Sequence, residues 1–253
     1  MTASSLPGNR RGLDARRVRA FARSDLRVAA RDGEQLLLTL GLPVLFLVFF
    51  SLVDVLPSGD REAIDFLTPG IVALAVLSVA FVRQAIGLGF DRSFGAIRRF
   101  AVTPLGVGEF LAAKLTTTVV LAVVQLAVLG AVGLALGWQP SLSPLIVVTV
   151  PLGLLAFSAL AVVVSSRVEG LLALAVANSL YVILLLLSGL VIDLGSFPGA
   201  LASAVKVLPS TALAELLRAQ LTHGAAGPGW AWLCLGAWGI GATAAAMKLF
   251  RWE

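Results

Sequence analysis

The side chains able to do chemistry in this chain are few, and their spacing narrows what they can do. His223 is the single histidine and Cys234 the single cysteine. Neither has a Cys, Asp or His at ligand spacing, so no metal site is expected and His223 reads as a loop residue. No Gly-x-x-x-x-Gly-Lys-Ser/Thr sequence occurs and no glycine precedes a lysine, which leaves no loop to cradle nucleotide phosphates. Gly-x-Ser-x-Gly and His-Glu-x-x-His are also missing, which argues against membrane-embedded hydrolysis.

What remains is charge gathered in two places. Arg16, Arg19, Arg23, Arg27 and Arg31 recur every three or four positions, with Val18, Phe21, Ala22, Leu26 and Ala29 opposite. That spacing predicts a basic amphipathic helix over 15–31, suited to the inner membrane surface and its anionic headgroups. Asp25 falls inside the apolar arc, where a carboxylate suits a protein partner offering a donor better than acyl chains. The second cluster is the stretch 91–105, too short and too charged to cross a bilayer. Phe94, Ile97 and Ala101 would share one helical face, ringed by Arg92, Arg98 and Arg99, and Thr103-Pro104 fits the N-cap and first position of the next helix. Charge alone allows a solvated basic loop; the aromatic and aliphatic face favours docking against another protein.

The elements that must position these groups are apolar helices. The chain has 253 residues, 58% hydrophobic and 13% charged, against about 25% charge in an ordinary soluble domain. Apolar runs at 36–53, 67–88, 111–136, 145–164, 171–192 and 230–249 are each about long enough for a crossing of roughly 20 residues. They are apolar on every face, as at 184–187, which excludes a barrel of alternating strands. The fold class is therefore all-α and polytopic, with residues 1–35 as a cytoplasmic N-terminal region and 36–253 as one six-helix transmembrane domain. Pro43 and Pro151 predict kinks at which neighbouring helices re-satisfy the freed backbone.

Placing the N-terminus inside puts 16 of the 19 basic residues and 8 of the 14 acids in the cytoplasm. The positive-inside rule then puts both termini in the cytoplasm. The pI near 10.3 thus reads as an orientation signal, not as nucleic-acid binding. About 35 largely polar residues precede the first apolar run and no small-x-small site follows it, so the first span is expected to persist as an anchor. Arg83 alone lies well inside a run, near the cytoplasmic end of span two, where snorkelling explains it. Neutral polar groups in the spans mostly suit helix-to-helix hydrogen bonds. Ser78, Gln84, Asn178, Tyr181 and Ser188 are candidates for lining a route for an amphipathic or lipophilic solute.

The connection 193–229 is long but poor in charge. Pro198 predicts a short helix through Val207, and Ser210 could cap a second, Thr211–Leu221, with Leu213, Leu216, Leu217 and Leu221 on one side and Glu215 paired with Arg218. Such helices are too short to span, so they either dip into the outer leaflet, cover the bundle, or form a hairpin on its outer surface.

These residues resemble the transmembrane subunits of ABC-2 type exporters, the group with daunorubicin-type drug exporters and polysaccharide or lipid exporters. Phe66-Leu67-Thr68-Pro69-Gly70 is similar to the segment that precedes span two in that family. Asp91-Arg92 with Gly95, Arg98, Arg99 and Thr103-Pro104-Leu105 resembles its charged loop. Lys114 at span three, Ser188-Gly189, Phe197-Pro198, Leu208-Pro209-Ser210 and Arg218 continue the likeness over nearly the whole chain. The resemblance implies a six-span half-transporter in a bacterial plasma membrane that forms a homodimer, or a heterodimer with a sister permease. It also implies docking of two separate ATP-binding subunits that hold ATP and magnesium, with the loop as coupling helix and the basic N-terminal helix as connecting helix. Gly106 and Gly108 replace the larger or polar residues of relatives and imply a looser start to the helix after Thr103. A lipophilic drug or antibiotic is the expected cargo, with lipid or polysaccharide export, or a non-transporting membrane adaptor, as alternatives.

Overall fold

The computed structural model describes residues 14–52, 60–103, 105–188 and 198–250. Arg10, Arg11, Pro104, Gly189 and Phe197 lie outside them. Among the described residues every regular element is helical. The order is α1 (Ala15–Arg31), α2 (Gly33–Leu52), α3 (Asp60–Leu77), a π-helical segment Ser78–Val82, α4 (Arg83–Ser93), α5 (Ala96–Ala101), α6 (Val107–Ala135), α7 (Ile146–Ser165), α8 (Gly170–Leu187), α9 (Gly199–Val205), α10 (Pro209–Thr222) and α11 (Gly229–Leu249). Among the described residues five helices are long and apolar enough to cross a membrane: Leu67–Ser93 within the α3–α4 unit, α6, α7, α8 and α11. The α9–α10 pair passes the same test only as one unit bent by 91°, and the described apolar run of α2 is Thr39–Phe49.

The expected second span is part of an unbroken helical run from 60 to 93, widened at its middle by the π segment. Such segments insert one residue into the helical ladder, a feature that hydropathy does not report. Val79, Ala80 and Phe81 of this segment are buried in the main core.

The centre of that core is an unexpected element. Leu213, Leu216 and Leu217 of α10 are fully buried, and so are Thr211, Ala212 and Gln220, so α10 is packed against α3, α7 and α11, with Glu215, Arg218, Ala219 and Thr222 as its half-buried face. Of the expected pair of short helices, α10 is therefore packed into the bundle, while α9 stays mostly exposed and buries Val205. The tip of the pair is held from α11, where Trp238 Nε1 donates to the Val207 carbonyl at 2.8 Å. Trp238 lies nine residues into α11, roughly 13 Å along its axis. Two local expectations also change. Leu208 precedes α10 as its N-cap and Pro209 fills the first turn, while the Ser210 hydroxyl caps nothing and has no hydrogen-bond partner among the described residues. The Glu215–Arg218 pair does form, at 2.8 Å.

The prolines show how the bundle satisfies its own backbone. A proline deprives the carbonyl four residues earlier of its donor, and in a bilayer that carbonyl needs a substitute. For Pro43 the carbonyl is that of Thr39, and it accepts from Gln125 Nε2 of α6 at 2.7 Å. For Pro69 it is that of Asp65, which accepts from the Thr222 hydroxyl at the end of α10 at 3.3 Å. Close approach elsewhere depends on missing side chains. A Cβ on Gly89 of α4 would collide with Ala173 of α8, and one on Gly153 of α7 would meet Leu213 at 3.0 Å.

These bonds predict a specific epistasis. Gln125→Leu leaves the Thr39 carbonyl unpaired and is expected to destabilise the purified protein by about 1–2 kcal/mol. Pro43→Ala restores a backbone donor to the same carbonyl, so Pro43→Ala/Gln125→Leu should melt higher in a detergent thermal scan than Gln125→Leu alone. Equal melting of the two would mean that Gln125 does not replace the missing donor.

Candidate coupling junction

The sequence clusters meet at one end of the bundle, and they meet around Lys114. This residue stands two turns into α6, and its Nζ lies 2.7 Å from Asp25 Oδ1 of α1 and 3.2 Å from Asp91 Oδ2 of α4. The donor expected for Asp25 is therefore an ammonium of the same chain. Its side chain is 12% exposed and that of Asp25 17%, so the pair is largely out of solvent, where an unpartnered charge is costly. The ammonium also sits 6.0 Å from the ring centre of Phe21 and 5.8 Å from that of Phe110, within cation–π range.

Around the charges is an aromatic cluster that joins four elements. Phe21 of α1 meets Phe100 of α5 edge-on with centroids 4.9 Å apart, and Phe110 of α6 at 5.3 Å. Phe110 in turn packs on Phe250, just past α11, at 5.3 Å. A second tie joins the starts of α1 and α6. Glu109 Oε1 accepts the Asp14 N–H at 3.0 Å and Oε2 the Gly106 N–H at 2.8 Å, with Arg17 3.7 Å away. Asp14 also caps α1 through the Arg16 N–H at 2.9 Å. The start of α6 is consequently well held, not loose, and its N-cap is Gly106. Thr103 is not that cap, since its hydroxyl donates back to the Phe100 carbonyl at 2.6 Å.

The stretch 91–102 departs from the expected docking face. Gly95 takes φ of 70°, the left-handed conformation that glycine adopts without strain, and this turn separates α4 from α5. Phe94 and Ile97 consequently do not share a face. Ile97 is 1% exposed and packs with Leu88 and Phe110, whereas Phe94 is 74% and Val102 88% exposed. Phe94 is stacked on Phe90, at 5.9 Å. The outward surface is Phe94, Arg98, Arg99 and Val102, with Arg92 half-buried behind it. Arg16, Arg19, Arg23 and Arg27 lie exposed on α1, whose Ala22 and Ala29 face inward.

The five route candidates fall into two sets on adjacent helices, α4 and α8 being neighbours. Gln84 is buried and used at both ends, donating to the Ser158 carbonyl at 3.2 Å and accepting from Thr118 at 2.8 Å. Ser78 is half-buried in the π segment. On α8, Asn178 is exposed and Tyr181 half-buried, while Ser188 just beyond the helix is buried and donates to the Leu185 carbonyl. Sequence reasoning missed Glu109 and the phenylalanines at 21, 100, 110 and 250 as one cluster. Their type was visible, but their convergence from four separate segments was not.

The arrangement is that of a polytopic helical membrane protein with a solvent-facing aromatic and basic knob wired to its N-terminal helix and to its second and third spans. The ABC-2 type transporter family matches residues 16–222, and the chain belongs to that family. Its members are membrane transporter subunits that work with ATP-binding subunits. No curated protein matches the chain.

Breaking the junction tests its cohesion. Lys114→Met leaves Asp25 and Asp91 facing each other without a cation and should destabilise the protein by about 3 kcal/mol. Removing one charge from the exposed repulsion by Asp25→Asn/Lys114→Met should recover part of that loss in a double-mutant cycle of melting temperatures. Additive losses would show that the two side chains are not coupled.

Proposed function

We propose that the chain is the permease subunit of an ATP-driven exporter in a bacterial plasma membrane, with both termini cytoplasmic. Two copies, or one copy and a sister permease, would pair and dock two separate ATP-binding subunits. The observation that carries this reading is the junction: an exposed Phe94–Arg98–Arg99–Val102 knob whose base is tied through Asp91, Lys114 and Asp25 to three helices. A push on the knob has a stiff path into α4 and α6, and only a contact that differs between two states can transmit such work. The chain itself carries no phosphate-binding loop, so ATP and magnesium belong to the partner.

The pairing surface that fits best is α8. Leu171, Leu172, Val182, Ile183 and Leu186 are exposed along it, with Asn178 and Ser179 among them. A route between protomers lined by α8 and by neutral groups suits a lipophilic or amphipathic cargo, a drug or antibiotic foremost, with lipid or polysaccharide cargo as the alternative.

Phe94→Asp is the direct test. Its side chain is exposed, so melting of the permease should stay unchanged. Co-purification of a co-expressed ATP-binding subunit should fall at least tenfold, about 1.4 kcal/mol, as expected for an aromatic anchor in an interface. Full ATPase binding and turnover in this variant would remove the proposed docking. ATPase binding without ATP-dependent accumulation of solute in vesicles would make the chain an anchoring subunit instead. Ile97 is unsuitable for this purpose, because a charge there would disturb the core.

A further inference from the structure

At the end of the bundle opposite the junction, the tip of the α9–α10 pair leaves an open groove of about 340 Å³ against α11. Trp230, Cys234 and Ala237, one helical turn apart along α11, form one wall together with Trp238, and Lys206 and Val207 of the tip form the other. Hydrogen bonds fix the level of the tip. The Val207 carbonyl accepts from Trp238 Nε1 at 2.8 Å and from the Cys234 thiol at 3.3 Å. Trp230 is the second residue of α11 and Trp238 the tenth, a separation of roughly 12 Å along the axis. An indole in the first turn of a crossing helix marks the boundary between membrane and water. The tip therefore lies below that boundary, in the leaflet at the start of α11, which is the outer one in the orientation proposed above.

A lysine at this depth has to reach back to the boundary with its head. The Lys206 ammonium does so, ending 5.7 Å from the ring centre of Trp230, within cation–π range. Among the described residues it makes no ion pair and no hydrogen bond, and no carboxylate lines the groove. Glu215 of α10 is held by Arg218 at 2.8 Å. The indole N–H of Trp230 also lacks an acceptor among the described residues, whereas those of Trp232 and Trp238 donate to the Ala226 and Val207 carbonyls. Two donors, one of them charged, thus stand at headgroup level over an apolar slot. Any acyl chain of the leaflet fits the slot, and the ammonium selects the headgroup above it.

We infer that this groove binds a phospholipid with a net anionic headgroup, phosphatidylglycerol being the simplest. Its phosphate accepts from Lys206 Nζ and Trp230 Nε1, and one acyl chain lies along Cys234 and Ala237. Hydrogen bonds from an ammonium to a phosphate are stronger than neutral ones. A zwitterionic headgroup brings its own cation, for which the groove offers no carboxylate. The proposed function supplies only the name of the leaflet. The site itself needs neither the ATP-binding subunit nor the orientation, so a test on the permease alone in micelles separates the two.

Cys234 is the single cysteine of the chain and lines the groove, so its reactivity reports occupancy. The full chain in neutral detergent is mixed with dioleoyl phosphatidylglycerol or with dioleoyl phosphatidylcholine at equal mole fraction. Alkylation of Cys234 by N-ethylmaleimide is then followed by intact-protein mass spectrometry. Phosphatidylglycerol should slow the reaction about tenfold relative to phosphatidylcholine, in line with one hydrogen bond to a charged group. Lys206→Gln, at an exposed position, should bring the two rates together, and Lys206→Arg should keep them apart. Trp230→Phe, which keeps a ring and loses the N–H, should shrink the difference about threefold.

Equal rates in the unaltered chain would overturn the inference. A difference that survives Lys206→Gln would do the same, by placing the anionic lipid elsewhere, as on the arginines of α1. Protection by glycerophosphate as strong as that by phosphatidylglycerol would also overturn it, because that anion has no chain to lie in the slot. Should Cys234 react in neither lipid, phosphatidylglycerol bearing a diazirine on its acyl chain decides. Cross-linking to the peptide that holds Ala237 is expected in the unaltered chain, and its absence there, or its persistence in Lys206→Gln, would reject the site.

Discussion

One ammonium organises the working end of this protein. Lys114 Nζ is the only cation within hydrogen-bond distance of both Asp25 and Asp91 among the described residues, and those carboxylates belong to two separate helices, α1 and α4. A largely buried charge tolerates little displacement of its partners, because separation leaves it unsolvated. The phenylalanines at 21, 100, 110 and 250 close over the site and keep water from competing. The short helix α5 is thereby attached to α1 and α6 as well as to the α4 that precedes it. Its buried residue, Ile97, anchors it, and its outward neighbours are left for a partner.

A second constraint shapes the rest of the bundle: no backbone group in the hydrocarbon region can rely on water. Three prolines interrupt the helical ladder, and for two of them, Pro43 and Pro69, side chains from other helices, Gln125 and Thr222, supply the missing donors. Both bonds join elements far apart in sequence, so helix kinking and helix packing are settled together. The same need explains the hairpin tip, where the Val207 carbonyl, freed by the bend, takes the Trp238 indole. With α10 packed against α3, α7 and α11, the core of the protein is built partly from one arm of a pair bent by 91°.

Much of this was legible beforehand. Runs of apolar residues predicted helix positions to within a few residues at most ends, because desolvation of an unsatisfied backbone leaves helices as the only economical answer. The misplacement of Asp25 on its arc pointed to a donor on a partner protein, and the donor proved to be Lys114 of the same chain, a residue that already stood in the pattern shared with the family. The reading failed where one residue changed the geometry of several. Gly95 in a left-handed turn took Phe94 off the face assigned to it beside Ile97. Glu109, by accepting the Gly106 N–H, moved the helix start past Thr103. The π segment left no trace in hydropathy, since widening a turn alters the ladder and not the composition.

The sequence by itself determined the class of protein, the places where helices form, the end of the bundle that carries the basic charge, and the lack of a phosphate-binding loop. Each of these follows from local composition, which acts over a few residues. Only the tertiary structure decided which carboxylates Lys114 holds, that α10 sits inside the bundle, and which of the loop's apolar side chains face outward. Those outcomes depend on contacts between segments tens of residues apart. Their energies come from shared burial and from matched donors and acceptors, which no single segment contains.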